Sequence, residues 1–148
     1  MSADPNSDVE SVCIAGIGCR ASASASDVLG AIGSALGRDG LEPFDLTGLA
    51  CIPSRADHPA IHAAAARLKL PLLVAEPAAL ATAASLCLTR SDTSLAATGL
   101  PSASEAAALA AACAINPDAR LAGPRSAGPM ATCAIACSPA VLHHLDQQ

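Results

Sequence analysis

Aromatic side chains are all but missing from this sequence: Phe44 stands alone, without a tryptophan or a tyrosine. Single-stranded nucleic acid is gripped by stacking bases on aromatic rings, so that class of partner is excluded. Lysine is as scarce, Lys69 being the one lysine beside seven arginines. The formal charge of −5 and a pI near 5.1 further oppose a nucleic-acid or anionic-membrane footprint. No apolar run reaches the ~18 residues of a membrane span, and Met1 to Glu10 lacks the basic start of a secretory signal. The seven cysteines include no Cys-x-x-Cys pair and no His–Cys cluster. Zinc ligation and thioredoxin-like chemistry therefore lack their usual spacing, and no metal site is expected. The thiols read as small buried hydrophobes kept reduced in a cytoplasm.

Alanine takes up the room these residues leave, in runs such as Ala63 to Ala66 and Ala106 to Ala108. It is the strongest helix former but buries little area, which predicts thin, closely packed helices. A chain of 148 residues suits one domain, and at this size a self-sufficient core can form. The polar residues 1–10 read as a disordered lead-in, 11–138 as the domain, and 139–148 as a polar tail.

Along that domain, short apolar runs alternate with helical periodicity. Ser11 to Gly18 reads as a buried strand, followed by a helix carrying Val28, Leu29, Ile32 and Leu36, with Ser24 or Ser26 as its cap. Leu46 to Ile52 predicts a second strand, and Asp57 a cap for a helix through Ile61, Ala64, Ala65 and Leu68. Leu72 to Ala75 predicts a third strand, Pro77 to about Ser85 a helix, and Leu86 to Leu88 a short extended piece. The polar stretch Thr89 to Pro101 reads as a functional loop or lid. Ser102 and Glu105 have capping-box spacing ahead of a helix with Ala106, Leu109, Ala110 and Cys113 on one stripe. Arg120 to Gly123 and Ala131 to Cys137 predict two strands whose short connection forces them antiparallel. The fold class is therefore α/β: a three-layer α/β/α arrangement with a mixed, mainly parallel sheet of about five strands and a C-terminal β-hairpin.

In such sheets ligands lie beyond the carboxyl ends of the strands. That rule selects Gly16 to Ser24, Pro53 to His58 and the loop after Val74. Gly16-Ile17-Gly18-Cys19-Arg20-Ala21 fits the loose dinucleotide fingerprint G-x-G-x-x-A. A nucleotide-binding module would, however, need a helix starting at Ala21 and an acid after the second strand, where Ser54-Arg55 stands. Read more broadly, the same loop is an anion cradle in which Gly16 and Gly18 admit backbone to a ligand, Ser22 offers a hydroxyl and Arg20 a fixed charge. The plain alternative is a tight turn with a surface arginine. Cys19 beside Arg20 could be an activated thiol, although no histidine shares its loop. Arg55, Asp57 and His58 follow the second strand, and Arg125 lies in the hairpin connection. No Ser-His-Asp order or paired carboxylates stand out, so the catalytic residues stay unassigned and binding is favoured over catalysis.

Taken together, four of these segments resemble the CobE/CbiG C-terminal domain family of cobalamin biosynthesis. Gly16-Ile17-Gly18-Cys19-Arg20 resembles its first motif, and Leu49-Ala50-Cys51-Ile52 into Arg55-Ala56-Asp57 its second. Thr98 to Ser102 running into Glu105 to Ala110 is similar to the third, and Pro124-Arg125 with Thr132 to Ala136 to the last. Two departures stand out: Arg55 replaces the usual lysine, and His58 the usual acid. The resemblance implies the free-standing, CobE-like form, a protein that binds a precorrin or other corrinoid intermediate as carrier or accessory factor. The alternative it implies is a hydrolase of a precorrin lactone, like the cobalt-precorrin-5A hydrolase. The substrate-binding residues would be Gly16, Gly18, Cys19, Arg20, Ser22, Arg55, Asp57 and Arg125. No cofactor of its own is expected, though a bound corrinoid can carry cobalt. Other corrin-pathway enzymes are the protein partners it implies, with neither nucleic acid nor membrane.

Overall fold

The computed structural model describes residues 11–146, so the expected lead-in over residues 1–10 lies outside the described residues. Six strands form one mixed sheet: β1 (Cys13–Cys19), β2 (Gly48–Cys51), β3 (Leu72–Val74), β4 (Arg120–Leu121), β5 (Ser126–Ala127) and β6 (Ala131–Cys137). Their order is β3-β2-β1-β6-β4, with β5 also paired to β6. The first three strands are parallel, as their helical crossovers require. β6 runs antiparallel to β1 along its whole length, from Cys13 opposite Cys137 to Cys19 opposite Ala131. β4 and β5 both pair antiparallel with β6, one near each end. The expected hairpin thus has an extra strand inside its connection. The ladder breaks between its two halves because Pro124 has no amide to donate and the Arg125 amide is bonded elsewhere.

Helices α1 (Ala25–Asp39), α2 (Pro59–Leu68), α3 (Pro77–Ala84), α4 (Asp92–Thr98), α5 (Ala103–Ile115) and α6 (Pro139–Asp146) complete the fold. Alternation along the strands divides the core in two. Cys13, Ala15, Ile17, Leu49, Cys51, Cys133, Ile135 and Cys137 face α1 and α2. Val12, Ile14, Ala50, Ile52 and Ala136 face α3 and α5. The three layers follow from this division.

α5 is the most deeply set helix, buried at every residue from Ala103 to Ala112. A helix apolar on all sides must be covered on all sides. It lies close to the sheet because β1 is bare beneath it: a Cβ on Gly16 would sit 2.5 Å from the Ala108 nitrogen and closer still to the Ser104 carbonyl oxygen. All seven cysteines are free thiols, four buried and three half-buried. Cys13 and Cys137, cross-strand neighbours, bring their sulfurs to 3.2 Å.

Four local expectations change. His58, not Asp57, caps α2: its Nδ1 accepts the Ala60 amide at 3.1 Å. An imidazole nitrogen does the work of a capping carboxylate there. The polar stretch after Thr89 is not all loop, since Ser91 caps α4 within it through the Ser94 amide. Leu86 to Leu88 forms no strand. The expected polar tail begins instead with α6, whose Val141 and Leu142 pack against the α1 side of the core. No helix among the described residues is long and apolar enough to cross a membrane.

Candidate functional site

An open cleft of about 500 Å³ lies beyond the carboxyl ends of β1 and β2, where β6 begins. Its floor is Gly18, Cys19, Ile52, Ala131 and Thr132. The lining continues with Ser91, Thr93, Ser94, Ala97 and Thr98 from α4 and its cap, and with Arg125 and the β5–β6 turn. Arg20, Arg55 and Arg125 all line it. Three arginines from segments far apart in sequence therefore meet at one opening of a chain whose net charge is −5. Among the described residues, the lining contains no aspartate, glutamate or histidine.

Each arginine is held differently. Arg20 is exposed, but its backbone amide donates to the Met130 carbonyl at 3.0 Å, extending the β1–β6 ladder to the rim. Arg55 is half-buried, and its Nε donates to the Cys19 carbonyl at 2.9 Å. It therefore has a structural task that its loop position gave no sign of. His58 completes the same clasp, its Nε2 within 3.0 Å of the Arg20 carbonyl and 3.1 Å of the Ala21 carbonyl. Nδ1 already accepts the Ala60 amide, so Nε2 carries the proton and donates. Among the described residues, Arg125 is anchored through its backbone: Arg38 Nη1 donates to its carbonyl at 2.9 Å, and its amide donates to Glu105 Oε2 at 2.8 Å.

Of the eight binding candidates, Gly18, Cys19, Arg20, Arg55 and Arg125 line the cleft, while Gly16, Ser22 and Asp57 do not. Gly16 lies under α5, where only a hydrogen fits. Ser22 and Asp57 are exposed outside the opening. Cys19 is no activated thiol: burial raises its pKa above the ordinary 9.0, and the Arg55 guanidinium offsets that only in part. The helix that a pyrophosphate would need at Ala21 starts instead at Ala25, capped by Ser24 in a reciprocal capping box with Asp27. The loop after Val74 contributes nothing to the lining. Among the described residues, no three His, Cys, Asp or Glu side chains gather where a metal could sit.

Sequence reasoning missed Thr132 and the β5–β6 turn, although the polar bias of Thr89 to Pro101 did flag the α4 wall. It also misread Glu105. Ser102 caps α5, its Oγ accepting the Glu105 amide, but the Glu105 carboxylate does not return to Ser102 as a capping box would have it. It is fully buried and accepts from the Leu88 and Thr89 amides, the Thr89 hydroxyl and the Arg125 amide, at 2.7 to 2.8 Å. The available signal was a single acid in an otherwise uncharged helix.

The sequence matches the family described as Cobalamin synthesis G C-terminus over residues 13–136. Among solved structures it is similar to CobE, a protein from the cobalamin (vitamin B12) biosynthetic pathway. The two share 34% identity and superpose with a TM-score of 0.80 over 86% of this chain and 90% of CobE. It is 38% identical to the cobalamin biosynthesis protein chiG from Agrobacterium tumefaciens str. C58, with a TM-score of 0.66 over 86% of this chain and 99% of that one. A cobalamin biosynthesis protein G homolog from Sulfolobus solfataricus shares the fold at 16% identity and a TM-score of 0.61, with 37% of its length covered. No curated protein matches the sequence significantly.

Proposed function

Since the chain belongs to the family of the cobalamin synthesis G C-terminus, and so to the cobalamin biosynthesis pathway, we propose that it binds a precorrin or related corrinoid intermediate in the arginine-lined cleft. It acts there as a carrier or accessory factor. The observation that carries this reading is the lining itself: three guanidiniums and a bank of hydroxyls, with no carboxylate or imidazole among the described lining residues. Corrin precursors bear a ring of acetate and propionate groups, and arginine forks match carboxylates bidentately. Hydrolysis of a macrocycle lactone would call for a general base within reach of the ligand. The one titratable side chain on the floor besides the arginines is the Cys19 thiol, which burial keeps protonated. Binding is therefore the better supported role. Seven free thiols suit a reducing, cytoplasmic setting, and other corrin-pathway enzymes are the partners such a carrier would meet.

An anaerobic titration with late precorrins, followed by visible absorbance, tests the reading. The expected result is a saturable spectral shift with the ligand mass unchanged. Arg20→Met and Arg125→Met should each weaken binding by roughly ten- to a hundredfold while leaving the melting temperature nearly unchanged. Arg55→Met should weaken binding and also cost about 1 kcal/mol of stability, because its Nε holds the Cys19 carbonyl. A changed ligand mass would show a hydrolase, and no shift with any intermediate would overturn the assignment of the cleft.

A further inference from the structure

We propose that Glu105 is the positioning residue of the cleft, a buried carboxylate that holds Arg125 and the root of the α4 wall in register so that both engage one ligand. The proposal rests on the corrinoid-binding reading of the cleft. Three observations converge on it.

First, Glu105 is out of place energetically unless it serves something. It is fully buried on α5, among alanines, and four donors satisfy its two oxygens, none of them a charged side chain. Burying a charge in an apolar helix is costly without such a full set of partners. Its own helix needs none of them, because Ser102 already caps α5.

Second, the donors come from two chain segments that lead into the lining of the opening. Oε1 takes the amides of Leu88 and Thr89, and Oε2 takes the Thr89 hydroxyl together with the Arg125 amide. Thr89 stands two residues before Ser91, the cap of α4 and the first residue of the hydroxyl wall. Arg125 lines the same opening. One carboxylate thus spans two connections that share no backbone pairing with each other.

Third, few other ties hold the parts it joins: the Ser91 amide donates to the Pro101 carbonyl at 2.9 Å, and the Ala103 amide to Ser94 Oγ at 3.3 Å. α4 contributes no buried residue. Arg125 lies in the gap between β4 and β5 where the ladder is broken, and its other anchor is the exposed Arg38 side chain. Without Glu105 the Leu88–Thr89 turn and the Arg125 backbone would keep their own chemistry and lose the one anchor they share.

Two measurements test this, one independent of any ligand. In the free protein, Glu105→Gln should speed amide hydrogen exchange by about tenfold or more at Leu88, Thr89 and Arg125, with β1 and β6 amides unchanged. In the precorrin titration, Glu105→Gln should weaken binding about tenfold in the wild-type and Arg20→Met backgrounds, and by less than about twofold in the Arg125→Met background. That non-additivity is what a purely structural role would not produce. Thr89→Val removes one bond to the same Oε2 at nearly constant volume and serves if Glu105→Gln does not fold. It should weaken binding by about two- to fivefold, again lost in the Arg125→Met background. Equal losses in all backgrounds, or no loss, overturn the proposal. If the wild-type protein binds no precorrin, the corrinoid reading fails on its own. Unchanged exchange at the three amides overturns the positioning role whether or not a precorrin binds.

Discussion

Replacing Gly16 by alanine tests the central packing contact of the fold and separates the two glycines of the first loop. An added Cβ would lie 2.5 Å from the Ala108 nitrogen, 2.8 Å from the Ala108 Cβ and closer still to the Ser104 carbonyl oxygen. Ordinary carbon contacts are roughly 3.5–4.0 Å, so α5 must retreat from β1 by about 1 Å. The obstacles at Ser104 O and Ala108 N are helix backbone, which cannot turn aside as a flexible side chain can. A gap of that size forfeits roughly a quarter to a half of the dispersion attraction at each contact along the interface. Overpacking usually costs about 1–3 kcal/mol. Because a whole buried helix is displaced here, the upper end is expected, about 3 kcal/mol. For a domain of this length that corresponds to a melting temperature lower by about 6–12 °C.

Far-ultraviolet circular dichroism is the assay, since a chain without tryptophan or tyrosine gives no useful fluorescence. Gly33→Ala is the control of opposite sign: nothing lies within 4 Å of its added Cβ, and the site is exposed in α1. It should stabilise by roughly 0.5–1 kcal/mol through helix propensity. A Gly16→Ala protein melting like wild type would refute the close approach of α5 to β1. Weakened ligand binding at unchanged stability would return Gly16 to the anion cradle that its motif suggests.

Two further outcomes follow from the same geometry. Cys51 and Cys133 are fully buried, and burial raises both thiols above 9.0, Cys51 to about 11. Above pH 9 the folded chain keeps protons that the unfolded chain releases, so stability should fall as pH rises from 9 to 11. The slope approaches about 1.4 kcal/mol per thiol per pH unit. With no tyrosine and one lysine to titrate in that range, a urea midpoint under reducing conditions that stays flat to pH 11 would contradict the burial of these thiols. His58→Ala should cost about 1–2 kcal/mol in urea denaturation, losing both the α2 cap and the tie to the Arg20 and Ala21 carbonyls. Unchanged stability with altered ligand binding would show that the ring serves the ligand instead.

Much of the architecture was legible because it rests on local rules. β6 occupies the predicted Ala131 to Cys137, and α1 starts one residue after a predicted cap. The first strand and the alanine stripe on α5 were equally clear. What escaped was set by tertiary context. α4 has seven residues, all polar or small except Leu95, and buries none, so no apolar period announces it. β4 and β5 are two residues each, too short for alternation to register. α6 looks like a tail until Val141 and Leu142 find the core. The candidate site divides in the same way. Strand-end loops could be located from the order of elements, which placed Arg20 and Arg55, whereas the rest of the lining came from α4 and the β5–β6 turn rather than from the loop after β3. Pairing β6 between β1 and β4 carries that turn to the opening, and no local pattern encodes the pairing.

Gly16 and Glu105 show why motif and role part company. Both sit in recognisable signatures, a glycine-rich loop and a capping box, and in each the local chemistry is satisfied without the residue that drew attention. Gly18 and Cys19 reach the cleft while Gly16 is spent on helix contact. Ser102 caps α5 while Glu105 is spent on two distant loops. The two are linked through one helix. The absence of a side chain at Gly16 lets α5 lie close to β1, with Ser104 and Ala108 against the strand. Glu105, next to Ser104, is thereby carried deep enough to receive the Leu88, Thr89 and Arg125 amides. A shift of α5 by about 1 Å, as Gly16→Ala demands, is large against the 2.7 to 2.8 Å bonds at Glu105 and would disturb their geometry. Gly16→Ala should therefore speed amide exchange at Leu88, Thr89 and Arg125 as well as lower the melting temperature.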